Sequence, residues 1–421
     1  MTSASPTPIE SGGASWRAAF RPLGPVGAQG LTQACNLGGQ LVAIAWVGHQ
    51  AFGSVGLGLM VAATAVFVGD LGYGPWMLRE VARDGHWLPE WRAATARRLL
   101  VLLPVTLLAA VAVGATAPDP SAGMAVVAAA APGILLSAFL PGSVLYGLGW
   151  ARAAALGHIL RYAVQAVNLM LGAALGGDSF ALMAGYGFTA GIVVQLLAGL
   201  AAGLPAAFLW PSWRAGLPPA PALRVWGLSL LGTLNDRALP LVVAVAMHGV
   251  LSWLLIAVQV LQGLAGMLAQ VDRLVVPGVV RGHHGGIAPA ALLTGTTAAL
   301  AVAVGIAGAL LQPGLIAPGW LMLAEWHCAM VGAWSFPVLF ARDAERPLLL
   351  MIAVVLPVSL GLQALGAGRV ALVWLLGVRV GAAAVIGRFS AVSAGMPALA
   401  RWWPATALVA AALATLVVVP A

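Results

Sequence analysis

The feature that most constrains this chain is its succession of unbroken apolar runs, each long enough to cross a bilayer as a helix. Stretches such as AVVAAAAPGILLSAFL and ALVAAALATLVVVP carry no charge, and similar runs recur along the chain between short Gly, Pro or Arg punctuation. A hydrocarbon core takes about 20 mostly apolar residues per helical span. A membrane β-barrel would instead alternate apolar and polar residues in segments of roughly ten, and that alternation is missing here. Hydrophobic residues make up 61% of the 421 and charged residues only 8%, against roughly 25% charged in soluble domains. The expected fold class is therefore all-α, a polytopic membrane protein with about 12 to 13 transmembrane helices, and the division of the chain set out below makes it two parallel six-helix lobes.

Hydropathy places spans at 24–47, 52–77, 96–117, 122–147, 151–175, 180–208, 224–247, 250–277, 289–311, 319–340, 347–366 and 369–387, with an additional one at 403–420. The connecting loops alternate in character. One set is short and nearly uncharged, and the other carries the arginines, Arg369 excepted. Positive residues mark the cytoplasmic face, so the N-terminus is expected inside, and the thirteenth span decides the side of the C-terminus. The organisation that follows is a disordered tail over 1–23, a first lobe over 24–209, and a Pro-rich linker over 210–223 (from WPSWRAGLPPAPALRV). A second lobe covers 224–388, and 389–421 holds a loop with the extra helix. The tail lacks the charged and apolar regions of a signal peptide. Net charge is +8, and every basic residue is arginine. The placement of those arginines in loops of one side assigns them to topology, not to nucleic acid.

The stretch VGDLGYGPWMLREVARD breaks the apolar pattern with an acid, glycines, a proline and a cluster of charges. Asp70, Pro75 and Arg79 recur in spacing as Asp272, Pro277 and Arg281, as expected of two related halves. The four charged members are candidate gate or interface residues. The competing reading is a helix stop with interfacial charges, which is the reading given to Arg79, Arg83, Arg97 and Arg98. The run from Ala51 to Asp84, with Phe52, Gly53, Asp70, Leu71, Gly72, Arg79, Glu80 and Arg83, resembles the second helix and following loop of bacterial polysaccharide (O-antigen type) flippases. These belong to the multidrug, oligosaccharidyl-lipid and polysaccharide exporter superfamily. That resemblance implies a two-lobed bundle opening alternately to either side of the cytoplasmic (inner) membrane, with the first, second, seventh and eighth helices lining its cavity. It further implies a lipid-linked glycan, carried on undecaprenyl diphosphate, as cargo, and association with other polysaccharide-assembly membrane proteins.

Polar residues within the spans recur at helical spacing. Gln29, Gln33, Asn36 and Gln40 share one face of the first span, and His158, Arg161, Gln165 and Asn168 share one face of the fifth. Ser229, Thr233 and Asp236 mark the seventh, flanked by Asn235 and Arg237. Gln259 and Gln262 lie in the eighth, and Glu325, Cys328 and Ser335 in the tenth. Single amides and hydroxyls serve as interhelical glue in membrane bundles. A charged residue at membrane depth costs roughly 2.5–3.5 kcal/mol on insertion scales and faces the bundle interior or a wet cavity. Arg161, Arg237 and Arg379 lie near the middle of their spans, and Arg273 joins them as a substrate-binding candidate. A guanidinium suits a diphosphate because its fork donates paired hydrogen bonds and keeps its proton, while Gln33, Asn36, Gln40, Gln165, Asn168 and Asn235 suit sugar hydroxyls. Asp236 and Glu325 are candidates for coupling to protons or sodium, with a structural pairing to arginine as the alternative.

No catalytic residues, cofactor or metal site are expected. Cys35 and Cys328 lie in apolar runs, and the pair His283 and His284 has no further ligands. Without lysine, the Gly-rich phosphate loop ending in Lys-Ser/Thr cannot be built. The leading expectation is a secondary transporter, not an enzyme: a flippase for lipid-linked oligosaccharide. The runner-up is a cation-coupled multidrug exporter of the same superfamily. A membrane polysaccharide polymerase or ligase stands third, since no large outward loop is present.

Overall fold

The computed structural model describes residues 23–83, 87–213, 218–246, 248–261, 263, 316–341, 346–366 and 372–395. These residues form helices joined by tight turns, with no strand among them. Asp272, Arg273, Arg281, the spans 289–311 and 403–420, and most of the N-terminal tail lie outside the described residues, as do the side chains of Arg79, Asn235 and Asp236.

Helix α1 runs from Leu23 to Gly69 and contains the first two expected spans as two limbs. Gly48 separates them with φ 81° and ψ 165°, a conformation that a side chain resists and glycine accepts. The second limb ends at a turn over Asp70, Leu71 and Gly72, and the amphipathic α2 (Tyr73–Arg83) follows. One continuous span over 52–77 was expected, and the helix instead breaks at Asp70. Leu71 holds φ 53° and Gly72 φ 73°, and two successive left-handed residues cannot continue a right-handed helix. Asp70 fixes the break by accepting from the Gly74 amide at 2.9 Å.

Next come α3 (Leu88–Thr116), α4 (Pro120–Leu136), the short α5 (Gly142–Gly147), α6 (Ala151–Leu175) and α7 (Gly177–Ala201). Asp119 caps α4 by accepting from the amides of Ser121 (3.0 Å) and Ala122 (3.1 Å), and Pro120 occupies the first turn. Both choices match the unpaired donors of a helix N-terminus. Leu100, Leu103, Leu107 and Val111 of α3 are all more than half exposed, an apolar stripe that only lipid would solvate. The opposite faces pack inward: α6 lies along both α1 and α7, and α4 along α7 and α1.

The chain continues with α8 (Ala220–Ala246), α9 (Leu251–Leu261), α10 (Ile316–Ala341), α11 (Arg346–Gly366) and α12 (Leu372–Ser393). Helix α10 packs along α12, and α11 contacts both α12 and α8. Among the described residues, five helices are long and apolar enough to cross a membrane. The first bundle meets α8 and α9 through α1 and its terminal turn. Trp226 Nε1 donates to the Val68 carbonyl (2.9 Å), Gln259 Nε2 donates to Gln33 Oε1 (3.2 Å), and His49 Nδ1 lies 3.1 Å from Ser252 Oγ.

Candidate functional site

Two cavities open beside α1 and α6, the larger bordered also by α3, α7 and α8 and the smaller by α8 and α9. The larger, about 440 Å³, is lined by Asp70, Arg98, His158, Arg161, Gln195 and Arg237, with Thr64, Ser137, Ser143, Tyr162 and Thr233 supplying hydroxyls. The smaller, about 170 Å³, is lined by Gln33, Asn36 and Gln40 of α1, Arg161 and Gln165 of α6, Arg237 of α8 and Gln259 of α9. Arg161, Tyr162, Arg237 and Ala63 line both, so the two guanidiniums stand at the junction of a cationic chamber and an amide-rich one. The helical stripes of the first and fifth spans converge here because α1 and α6 pack side by side and turn their polar faces to the same space.

Arg161 is nearly buried, at 7% exposure. Its Nη1 donates to Gln195 Oε1 at 3.3 Å, and its guanidinium carbon lies 5.4 Å from the Tyr162 ring centroid and 5.6 Å from that of Phe188. Aromatic faces stabilise a cation without neutralising it. Its Nε has no hydrogen-bond partner among the described residues. The close approach of α7 makes this setting: a Cβ on Gly191 would stand 2.6 Å from the Arg161 carbonyl oxygen, so only glycine lets the two backbones meet at that level.

The Asp70 end of the larger cavity differs from expectation. Arg98 was read as an interfacial anchor, yet it is 3% exposed. It pairs with Asp70 Oδ1, donates to the carbonyls of Asp70 and Ala138 (both 3.3 Å), and lies against the rings of Tyr73 and Trp91. The residue is buried because α2 folds back and brings Tyr73 over it. Arg97 donates to the Tyr73 hydroxyl at 2.7 Å. Burial pushes the Tyr73 phenol above its ordinary range, with Arg97 pulling the other way.

Other expected site residues lie elsewhere. Asn168 turns its amide to its own helix, donating to the Val164 carbonyl at 2.9 Å, and packs where Gly187 of α7 lets the helices touch. Arg379 of α12 pairs with Glu325 of α10 through two contacts, Nε to Oε2 at 2.9 Å and Nη2 to Oε1. Neither of these two lines the two cavities. Among the described residues, no group of three or more His, Cys, Asp or Glu could hold a metal ion. Gln195 and Arg98 are the site residues that sequence reasoning passed over. Gln195 is a lone amide in the apolar run GIVVQLLAGL, with no stripe to mark it.

The architecture has solved counterparts. The chain is similar to the inward-facing form of a multidrug resistance MATE family transporter of the MOP superfamily, with a TM-score of 0.62 and 14% identity over 88% of this chain and 96% of that one. It is also similar to an outward-facing multidrug resistance MATE family transporter of that superfamily (0.59, 14%, 90% and 96%). A MATE protein in the straight conformation gives the same values. The fold is shared. This chain is thus an all-α, multi-pass, two-lobed membrane protein. No protein-family model matches it, and no curated protein matches it in sequence.

Proposed function

We propose that the chain is a secondary transporter working by alternating access, with an anionic, hydrogen-bonding molecule as cargo. The observation that carries this reading is the placement of Arg161 and Arg237 at the junction of the two cavities. Both cavities are walled by α1 and α6 on one side and reach Arg237 of α8 on the other, and a boundary between those helices is one that alternating access would open. Likeness to transporters solved facing inward and outward supports the mode of action. Likeness to multidrug resistance transporters favours export of drug-like molecules over the flippase reading. Flipping of a diphosphate-linked glycan is kept as the second reading because the walls suit it: guanidiniums for the phosphates, and Gln33, Asn36, Gln40, Gln165 and Gln259 for the sugars.

The cytoplasmic membrane with the N-terminus inside belongs to the same proposal and rests on the arginine-bearing loops. Asp236 and Glu325 are carried forward as coupling candidates, the latter through its pair with Arg379. Replacing Arg161 and Arg237 separately with Gln tests the whole. Under the flippase reading, lipid-linked intermediate accumulates on the inner leaflet of cells bearing either variant. Under the exporter reading, the same cells lose resistance to anionic drugs and show no change in lipid intermediates. Normal behaviour in both assays at normal expression contradicts the site.

A further inference from the structure

We infer that Gln195 is a positioning residue that holds His158 as a neutral Nε2–H donor facing an acceptor-only group in the larger cavity. This rests on the anionic-cargo reading and deepens it. Gln195 is 4% exposed and bridges two residues one helical turn apart on α6. Its Oε1 is 3.3 Å from Arg161 Nη1, and its Nε2 is 3.2 Å from His158 Nδ1. A carboxamide has one accepting end and one donating end, and a guanidinium has donors only. Arg161 therefore fixes the amide with Oε1 toward itself. The Nε2 end can then only donate, so His158 Nδ1 must accept. A ring that accepts at Nδ1 carries its proton on Nε2 and is uncharged. Reversing the amide would set its NH₂ against the guanidinium, and a doubly protonated ring would set N–H against NH₂; each leaves a buried donor facing a donor, which is costly.

The consequence is three committed donors in a cavity wall whose remaining side-chain polar groups are mainly hydroxyls that can serve either way. His158, Arg161 and Arg237 all line the larger cavity. The one carboxylate among its described lining residues is Asp70, whose charge is offset by its pair with Arg98 and whose Oδ2 accepts from the Gly74 amide at 2.9 Å. Such a wall fits a group that accepts hydrogen bonds and offers none: an ionised phosphodiester or diphosphate. It disfavours an ammonium, which only donates.

The test uses full-length protein in nanodiscs with ¹⁵N-labelled histidine, His158 being assigned by the resonance lost in His158→Gln. The expected spectrum at neutral pH is the Nε2–H tautomer. Gln195→Glu, whose carboxylate only accepts, should move the proton to Nδ1. Gln195→Met, which adds no charge, should yield a mixed ring and weaken binding of inorganic pyrophosphate by about tenfold. An Nδ1–H or doubly protonated ring in the wild type, or a spectrum indifferent to both substitutions, overturns the inference even if pyrophosphate binds. The expected tautomer with no pyrophosphate binding by the wild type overturns the anionic-cargo reading, and the ligand-positioning role falls with it.

Discussion

Arg161 and Arg379 are the same residue type, both nearly buried on long helices, yet their surroundings differ. Arg379 is clamped by both carboxylate oxygens of Glu325, which binds α12 to α10. Arg161 forms no ion pair among the described residues. It has one long amide hydrogen bond, two aromatic faces and two cavities. A neutralised charge between packed helices is a fastener. One left cationic beside polar space can bind something. What separates the two is the partner on the neighbouring helix, not the depth of the arginine.

This contrast predicts a ranking of stabilities in denaturant unfolding of the purified protein. Arg379→Met strands a largely buried carboxylate, 13% exposed, and should cost about 3 kcal/mol. Arg161→Gln should cost under about 1 kcal/mol, because its loss leaves Gln195 beside a polar cavity. Equal losses would erase the distinction. Asp70→Asn is the intermediate case, since Arg98 is buried and paired but also lines the cavity. About 2 kcal/mol is expected, because a charged hydrogen bond is weakened while the Asp70 and Ala138 carbonyls still receive the guanidinium. Gly72→Ala probes the close approach of the turn after α1 to α8. Its Cβ would stand 2.1 Å from the Ala222 carbonyl oxygen at a φ of 73°, and a loss of roughly 1–3 kcal/mol should appear in the same assay.

A comparably small effect belongs to Asp119, an exposed carboxylate with no buried cation. The Ser121 hydroxyl first, and then the Ala122 amide, hold its carboxyl below the usual range. A depressed folded-state value stabilises the protein above the unfolded pKa, and the contribution fades as pH falls through the folded one. Asp119→Ala should cost about 1 kcal/mol or less at neutral pH, and the difference from wild type should shrink in acid. A difference that grows in acid would contradict the assignment.

Much of this arrangement is legible in the sequence, and most of what is hidden shares one cause. The span expected over 151–175 coincides with α6 (Ala151–Leu175), because the apolar run is bounded by Trp150 with an arginine beyond it and by paired glycines. The stripes of Gln33, Asn36 and Gln40 and of His158, Arg161 and Gln165 show directly, since residues three and four apart share a helix face. Chain-distant partners do not show. Glu325 lies 54 residues before Arg379, and Gln195 acquires meaning only from the two α6 residues it bridges. Arg98 follows Arg97 at the head of an apolar run, and nothing local reveals that Tyr73 and Trp91 enclose it. The break at Asp70 is hidden for a different reason: its first left-handed residue is Leu71, and a leucine gives no warning of that conformation.

The most direct test of the central claim reconstitutes the purified protein in proteoliposomes and offers two fluorescent cargoes built on one ring system, one bearing a phosphate monoester and one a quaternary ammonium. The account predicts uptake of the phosphate compound, little of the ammonium compound, and loss of uptake in the Arg161→Gln, Arg237→Gln double variant. Preferential uptake of the ammonium compound, undiminished by removing both guanidiniums, would contradict it.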